Sequence, residues 1–253
     1  ASGSAVVTDV VVAGNTGTGV DLDGTPLLNR VLIANNTGEE GGGVYIWDAS
    51  PVLTNVIIAG NSATEEGGGI HCNDCTLALS NVVIHGNSAD IGGGIYTEYD
   101  ETGSTLENVI ITGNTAVTSG GGPYVDDGIA YPEYTNIWGN TPNAVVGIPF
   151  FAGIDCNLTE DPDFLDTSAP DPLDWDLHLS ALSALIDVGA PAILDPDSGP
   201  ADLGAYGGPD ADLWDLDWDG FDEWWLPGPY DAATSPGADC DDLDEAVYPG
   251  VGC

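Results

Sequence analysis

The sequence predicts an all-β solenoid, short coils of strand stacked in parallel, with a small acidic module at its C-terminal end. Four near-copies of one phrase carry the prediction: Asn36-Thr-Gly-Glu-Glu-Gly-Gly-Gly-Val44, Asn61-Ser-Ala-Thr-Glu-Glu-Gly-Gly-Gly-Ile70, Asn87-Ser-Ala-Asp-Ile-Gly-Gly-Gly-Ile95 and Asn114-Thr-Ala-Val-Thr-Ser-Gly-Gly-Gly-Pro123. Each copy follows an apolar run: Val31-Leu-Ile-Ala, Val56-Ile-Ile-Ala, Val82-Val-Ile-His or Val109-Ile-Ile-Thr. The leading asparagines are 25, 26 and 27 residues apart, a period that marks a repeat architecture. On β-branched runs without helical spacing, so short a period means coils of β-strand.

One coil can be followed residue by residue. Thr54-Asn-Val-Ile-Ile-Ala59 is a strand. Gly60-Asn61-Ser62 turns the chain with residues that tolerate positive φ. Ala63-Thr-Glu-Glu66 loops outward, and Gly67-Gly68-Gly69 brings the backbone close to its neighbours. Ile70-His71-Cys72 starts the next strand and Leu77-Ala78-Leu79 continues the wall. The frame recurs at Val10–Asn15 and Asn136–Asn140, giving about six coils over residues 5 to 165, a stack of roughly 29 Å at strand spacing. Val56, Ile58, Val82, Ile84, Val109 and Ile111 are expected to face inward. Asn55, Asn81, Asn108 and Asn136 before the apolar runs, and Asn61, Asn87, Asn114 and Asn140 after them, are expected to stack as amide ladders.

Composition narrows the function. Forty-two acidic residues face one base, Arg30, for a formal charge of −41. Nucleic acid is excluded as a partner, because phosphate needs Lys and Arg, and anionic lipid is disfavoured. The carboxylates fit either a solvated, salt-adapted surface or a store of bound cations. No apolar stretch reaches 18 residues, so no membrane insertion is expected. A chain that begins at Ala1 and contains no Met fits a processed exported product or an excised segment. Cys72-Asn-Asp-Cys75 reads as a local disulfide, which implies an oxidising compartment. Cys240 and Cys253 form a second candidate pair and leave Cys156 over; alternatively Cys156 pairs with one of these and frees another.

The Gly-Gly-Gly-Ile and Asn-Val-Ile-Ile-x-Gly-Asn-Ser phrases resemble the repeats of right-handed parallel β-helix proteins, especially polymorphic outer-membrane proteins and related bacterial surface proteins. The resemblance spans residues 5 to 208. Asp161-Pro-Asp-Phe-Leu-Asp166, Leu177-His-Leu-Ser180, Ala184-Leu-Ile-Asp-Val-Gly189 and Asp202-Leu-Gly-Ala-Tyr-Gly-Gly208 are similar to the usual C-terminal end of such proteins. There, this region finishes and covers the last coil. The expected division is a right-handed parallel β-helix with its covering segment over 1–209 and an acidic module over 210–253.

In that module Asp215-Leu-Asp217-Trp-Asp219-Gly220-Phe221-Asp222 reads as the first half of a calcium loop, with alternate carboxylates, a glycine at the sixth position and the Phe221 carbonyl at the seventh. Leu226 stands where an EF-hand has its glutamate, so further ligands must come from elsewhere. Asp239-Cys240-Asp241-Asp242-Leu-Asp244-Glu245 supplies them for this Ca²⁺ site or a second one. Together the halves resemble the acidic metal-binding repeat of bacterial secreted and surface proteins, which implies metal, most plausibly calcium. An all-oxygen ligand set disfavours copper. If the coils also bind calcium, Glu39, Glu40, Glu65, Glu66 and Asp90 are the candidates.

These features point to an extracellular or cell-surface structural or adhesive β-helix, stabilised by calcium. Its expected partners are copies of itself or another surface protein stacked end to end, and glycans. A carbohydrate-binding or carbohydrate-active β-helix is the alternative. No enzyme is expected: Arg30 is the lone base for lyase-type chemistry, and His71, His85 and His178 form no local metal motif. An ice-binding solenoid would want a regular Thr array, but Ser62 and Ser88 interrupt Thr37 and Thr115.

Overall fold

The computed structural model describes residues 3–148, 150, 152–196 and 199–211. Three parallel sheets form the walls of a solenoid. The first contains Val6–Ala13, Leu27–Ala34, Val52–Ala59, Ala78–His85 and Asp100–Thr112, with Gly128–Glu133 and Asn136–Trp138 both paired to the last of these. The second stacks Thr37–Gly38, Ser62–Ala63, Ser88–Ile91 and Thr115–Ser119. The third stacks Val20–Gly24, Val44–Ala49, Ile70–Asn73, Ile95–Glu98 and Pro123–Val125. The chain visits the walls in this order and then steps up one coil. Four coils are complete on all three walls, so the expected six are four complete and two partial coils. Asn15 lies only 21 residues from Asn36, which leaves the first coil too short for a strand in the second wall.

The interior is a ladder of like residues. Val31, Val56, Val82 and Val109 pair in register, as do Ile33, Ile58, Ile84 and Ile111, and all are fully buried. The core residues expected from sequence are therefore inside. Leu28 and Val31 both face in although they are three apart. Between them Arg30 has φ 51°, and the positions in register with it, Asp9, Asn55, Asn81 and Asn108, have φ from 50° to 57°. A left-handed residue bends each strand there and resets the alternation of side chains, and Asn tolerates that region better than most residues.

One of the two expected amide ladders forms. Asn15, Asn36, Asn61, Asn87, Asn114 and Asn140 lie one above another at the corner after the first wall. Asn87 Oδ1 accepts from both the backbone N–H and the side-chain amide of Asn61, at 2.9 and 3.0 Å. Its own Nδ2 donates to Asn114 Oδ1 and to the Ile58 carbonyl, at 3.0 and 2.9 Å. Asn36, Asn61 and Asn114 repeat the pattern, so each of these buried amides is satisfied four times over. The other asparagines do not form a second continuous ladder. Asn55 donates to the carbonyls of Ala205 and Gly207, and Asn108 accepts from the Ala190 N–H. Asn136 exchanges bonds with the Glu160 backbone. Of a coil-to-coil series only Asn108 to Asn81, at 3.4 Å, remains.

Those bonds hold a C-terminal wrap. Beyond the bend, the outer face of the first wall carries Leu32, Ala34, Ile57, Ala59, Val83 and Ile110, all buried under Leu177, Leu179, Leu185, Leu203 and Ala205. The covering segment thus lies along the side of the solenoid, spanning several coils, rather than over its last coil as the family resemblance implied. Val145, Ile148 and Phe150 pack against the main core near its C-terminal end. Arg30 clamps both ends of the arrangement, with Nε 2.5 Å from Asp9 and NH1 3.8 Å from Asp210.

The glycine triplets serve close approach at the corner before the third wall. A Cβ on Gly68 would stand 2.4 Å from the Ser88 carbonyl oxygen of the next coil. Cys72 and Cys75 form the expected disulfide at the following corner, with both cysteines buried, and Cys156 is free and exposed. Cys240 and Cys253 lie outside the described residues.

Replacing Asn87 with Ala should destabilise the fold by at least ~3 kcal/mol, because several buried partners lose their bonds together. Asn15→Ala, at the exposed end of the ladder, should cost under about 1 kcal/mol. Equilibrium urea unfolding of both variants measures the contrast. Leu185→Ala should cost about 2–5 kcal/mol locally and, in hydrogen exchange, loosen residues 164–208 while the amide ladder stays protected.

Candidate functional site

The metal ligands expected in the acidic module, Asp215, Asp217, Asp219, Phe221, Asp222, Asp239, Asp241, Asp242, Asp244 and Glu245, lie outside the described residues. Among the coil acids, Glu40 and Glu66 come together. Glu39 and Glu65 are exposed beside them, and Asp90 turns away to accept from the Thr118 hydroxyl at 2.7 Å.

Glu40 and Glu66 converge on His71, with one possible ligand atom from each lying within 4.8 Å of the others. The site sits on the outer face of the third wall. There the residue after each Gly-Gly-Gly-apolar step points outward, and parallel register stacks Asp21, Tyr45, His71, Tyr96 and Tyr124. His71 meets Tyr45 and Tyr96 edge-on, at ring distances of 5.3 and 5.1 Å. Tyr96 stacks on Tyr124 at 5.5 Å. These neighbours leave His71 only 1% exposed.

The imidazole lies between carboxylates. Its Nδ1 is 3.5 Å from Glu40 Oε2 and its Nε2 is 3.9 Å from Glu98 Oε1. Neither ring nitrogen has a hydrogen-bond partner. Burial pushes the imidazole down to about 4, so it is neutral at neutral pH. Glu40, Glu66 and Glu98 are all raised, first by burial and then by repulsion from neighbouring carboxylates. The Asn73 side-chain amide donates to Glu98 and opposes part of that rise.

The other histidines do different work on other parts of the surface. His85, on the first wall, packs edge-on against Phe164 and Trp175 of the wrap. His178 lies flat on Tyr206 and bonds through Nδ1 to Asp176 at 2.6 Å. A second acidic group, Asp187, Asp195 and Asp202, binds backbone within the wrap: Asp202 accepts from the Asp187 N–H and Asp195 from the Asp202 N–H. Near the bend, a groove of about 360 Å³ runs over the outer face of the first wall. Ser80, Thr105, Glu107, Glu133 and the half-exposed Tyr131 are among the residues lining it. Among the described residues no helix is long and apolar enough to cross a membrane.

A family model described as the right handed beta helix region matches residues 1–136, more than half of the chain. The chain belongs to the right-handed β-helix family. No curated protein and no solved structure matches it. The matched span of this β-helix contains the whole amide ladder up to Asn114 together with Glu40, Glu66, His71 and Glu98. The repeats locate the two glutamates in the sequence, whereas His71 belongs to no local metal motif there. The missed signal was positional: the residue after each apolar step is Tyr45, His71, Tyr96 or Tyr124, a column in which one member can bind a proton or a metal.

His85 gives a test of the pH response. Burial lowers its imidazole to about 4, with a smaller opposing effect from a backbone bond to Thr112. A folded pKa below the ordinary 6.5 means that the unfolded chain takes up the proton first. Stability from this residue is then complete above about pH 6.5 and lost as pH falls toward 4, by about 3 kcal/mol at most. His85→Phe should remove that part of the pH dependence. Urea midpoints at pH 7 and pH 4.5 for both proteins check it, with the difference between the two slopes as the readout.

Proposed function

We propose that this β-helix is an extracellular or cell-surface structural or adhesive protein that uses its rigid coils as a display surface. The observation that carries the reading is the unequal finish of the walls. The wrap seals the outer face of the first wall beyond the bend, whereas the outer side of the third wall carries an in-register aromatic column in which His71 and Tyr96 are buried and Tyr45 and Tyr124 are half-buried. Trp47 and Tyr99, each 56% exposed, extend that aromatic surface. A ladder-bonded scaffold holds such groups in place without further ordering cost on binding, which favours recognition by a repeated or extended partner. The Cys72–Cys75 disulfide supports an oxidising, extracellular setting.

In this reading the acidic module over 210–253 binds Ca²⁺ and contributes to contacts between copies or with another surface protein stacked end to end. Close carboxylates repel without metal, and bound calcium offsets that repulsion. Light scattering of the full chain at high concentration should show larger species with calcium than with a chelator. Strict monomers under both conditions would remove the stacking part of the proposal. Calorimetric titration of an Asp217→Ala, Asp219→Ala variant tests the module itself: its calcium isotherm should lose at least one site.

The groove bounded by Tyr131, Glu107 and Glu133 favours a second reading, a carbohydrate-binding or carbohydrate-active β-helix. An exposed ring beside carboxylates and hydroxyls suits the faces and edges of a neutral sugar. Binding and hydrolysis assays on a panel of neutral glycans separate the readings. A sugar-binding groove predicts binding that Tyr131→Ala weakens at least tenfold.

A further inference from the structure

His71 poses an energetic problem that the protein groups around it do not solve. Its ring is 1% exposed, yet both nitrogens lack a hydrogen-bond partner. Buried polar groups in native structures are bonded, and an exception calls for a water, an ion or a function. Three glutamates stand around the same ring, half-buried and repelling one another. The lone pair of an orphaned imidazole nitrogen and the crowded carboxylates all lack a positive partner, and one divalent cation supplies it to each.

We propose that Glu40, Glu66 and His71 bind a divalent transition-metal ion of the zinc class, with His71 Nδ1 as the nitrogen ligand. Geometry chooses the nitrogen. Nδ1 faces Glu40 at 3.5 Å, close to the separation of two ligands that share a tetrahedral ion at about 2.0–2.1 Å each. The group spans at most 4.8 Å, slightly wider than two such bonds end to end, so small rotations of the half-exposed glutamates close the site. Nε2 faces Glu98 Oε1 at 3.9 Å, and the Asn73 side-chain amide donates to that same oxygen. A carboxylate behind the non-ligating nitrogen fixes the tautomer and orientation of a metal-bound imidazole.

The donor set chooses the ion. One imidazole and two carboxylates suit zinc-class metals, whereas calcium and magnesium prefer all-oxygen shells. The nearby cysteines are not ligands, because Cys72 and Cys75 are joined to each other inside the core. Three protein donors leave one tetrahedral position for water or a ligand oxygen. The site is therefore distinct in chemistry from the oxygen-only calcium sites proposed for the acidic module, and it does not depend on them.

The test uses the full chain, stripped with chelator and titrated calorimetrically with zinc chloride in excess calcium, which fills oxygen-only sites. The expected result is one zinc equivalent that survives excess calcium and shows an imidazole nitrogen in X-ray absorption. Glu40→Gln with Glu66→Gln should weaken that equivalent at least 100-fold. His71→Phe should abolish it, and the metal-free variant should be no less stable than the parent, since a phenyl ring keeps the edge contacts with Tyr45 and Tyr96 and removes two orphaned nitrogens. Three results would each overturn the proposal: no zinc bound in excess calcium, a zinc shell of oxygen alone, or zinc affinity unchanged in His71→Phe.

Discussion

The amide ladder at the corner after the first wall is the constraint on which the rest of the solenoid depends. Each internal asparagine uses both oxygen lone pairs and both amide hydrogens, and one of its two oxygen bonds satisfies a backbone N–H at the turn of the coil below. A buried amide is tolerable only when fully bonded, so each asparagine requires one directly above and one below. That requirement fixes the vertical spacing of the coils at one point per turn. Everything between successive ladder positions is freer, which is why the repeat can be 25, 26 or 27 residues long without breaking the stack.

Fixing the corner has consequences on either side of it. On one side, the strand that leads into it must bury Val31, Ile33 and their equivalents, and the left-handed residue at Arg30, Asn55, Asn81 and Asn108 supplies the bend that lets the wall turn. On the other side, the glycine triplets bring successive backbones too close for a side chain. The wrap then depends on the bend, because Asn55 and Asn108 spend their amides on its backbone. Arg30, at the same register position, joins the first coil through Asp9 to the end of the wrap through Asp210. The single base of a chain with formal charge −41 is thus placed where two acidic segments must approach.

Much of this was legible in the sequence, and what was missed has physical reasons. The repeat phrase exposed the solenoid, its inward residues and the ladder, because stacking forces identical chemistry at identical positions. The two asparagine series look alike in sequence but differ in backbone: Asn55 is left-handed and serves the bend, whereas Asn61 serves the ladder. The lateral wrap was also encoded. Val31-Leu-Ile-Ala and Val56-Ile-Ile-Ala are continuous apolar runs, and an alternating run would have sufficed if only the inner face were buried. Leu32, Ile57 and Val83 are the extra residues, and the second core accounts for them. His71 was hidden because nothing near it in sequence is a metal motif. Its neighbours Glu40 and Glu98 come from the coils on either side, brought there by register alone.

Parallel register also explains why charge gathers on this wall and why it stops. A strict repeat places each acid about 4.8 Å from its copy in the next coil, so an acid kept at one position through every coil would build a column of mutual repulsion. Glu40 and Glu66 begin such a column. In the next coil the residue that bridges to Glu66 is Ile91, and Asp90 is drawn aside to Thr118. The acid column is therefore cut to two members, and the aromatic column beside it places an imidazole, rather than a fourth tyrosine, at the level of those two. A scaffold that merely tolerated acidic residues would gain by spreading them. Here the stacking rule is interrupted on the side where a third carboxylate would continue the column and kept on the side where His71 meets the pair, which places an imidazole nitrogen within 4.8 Å of both glutamates.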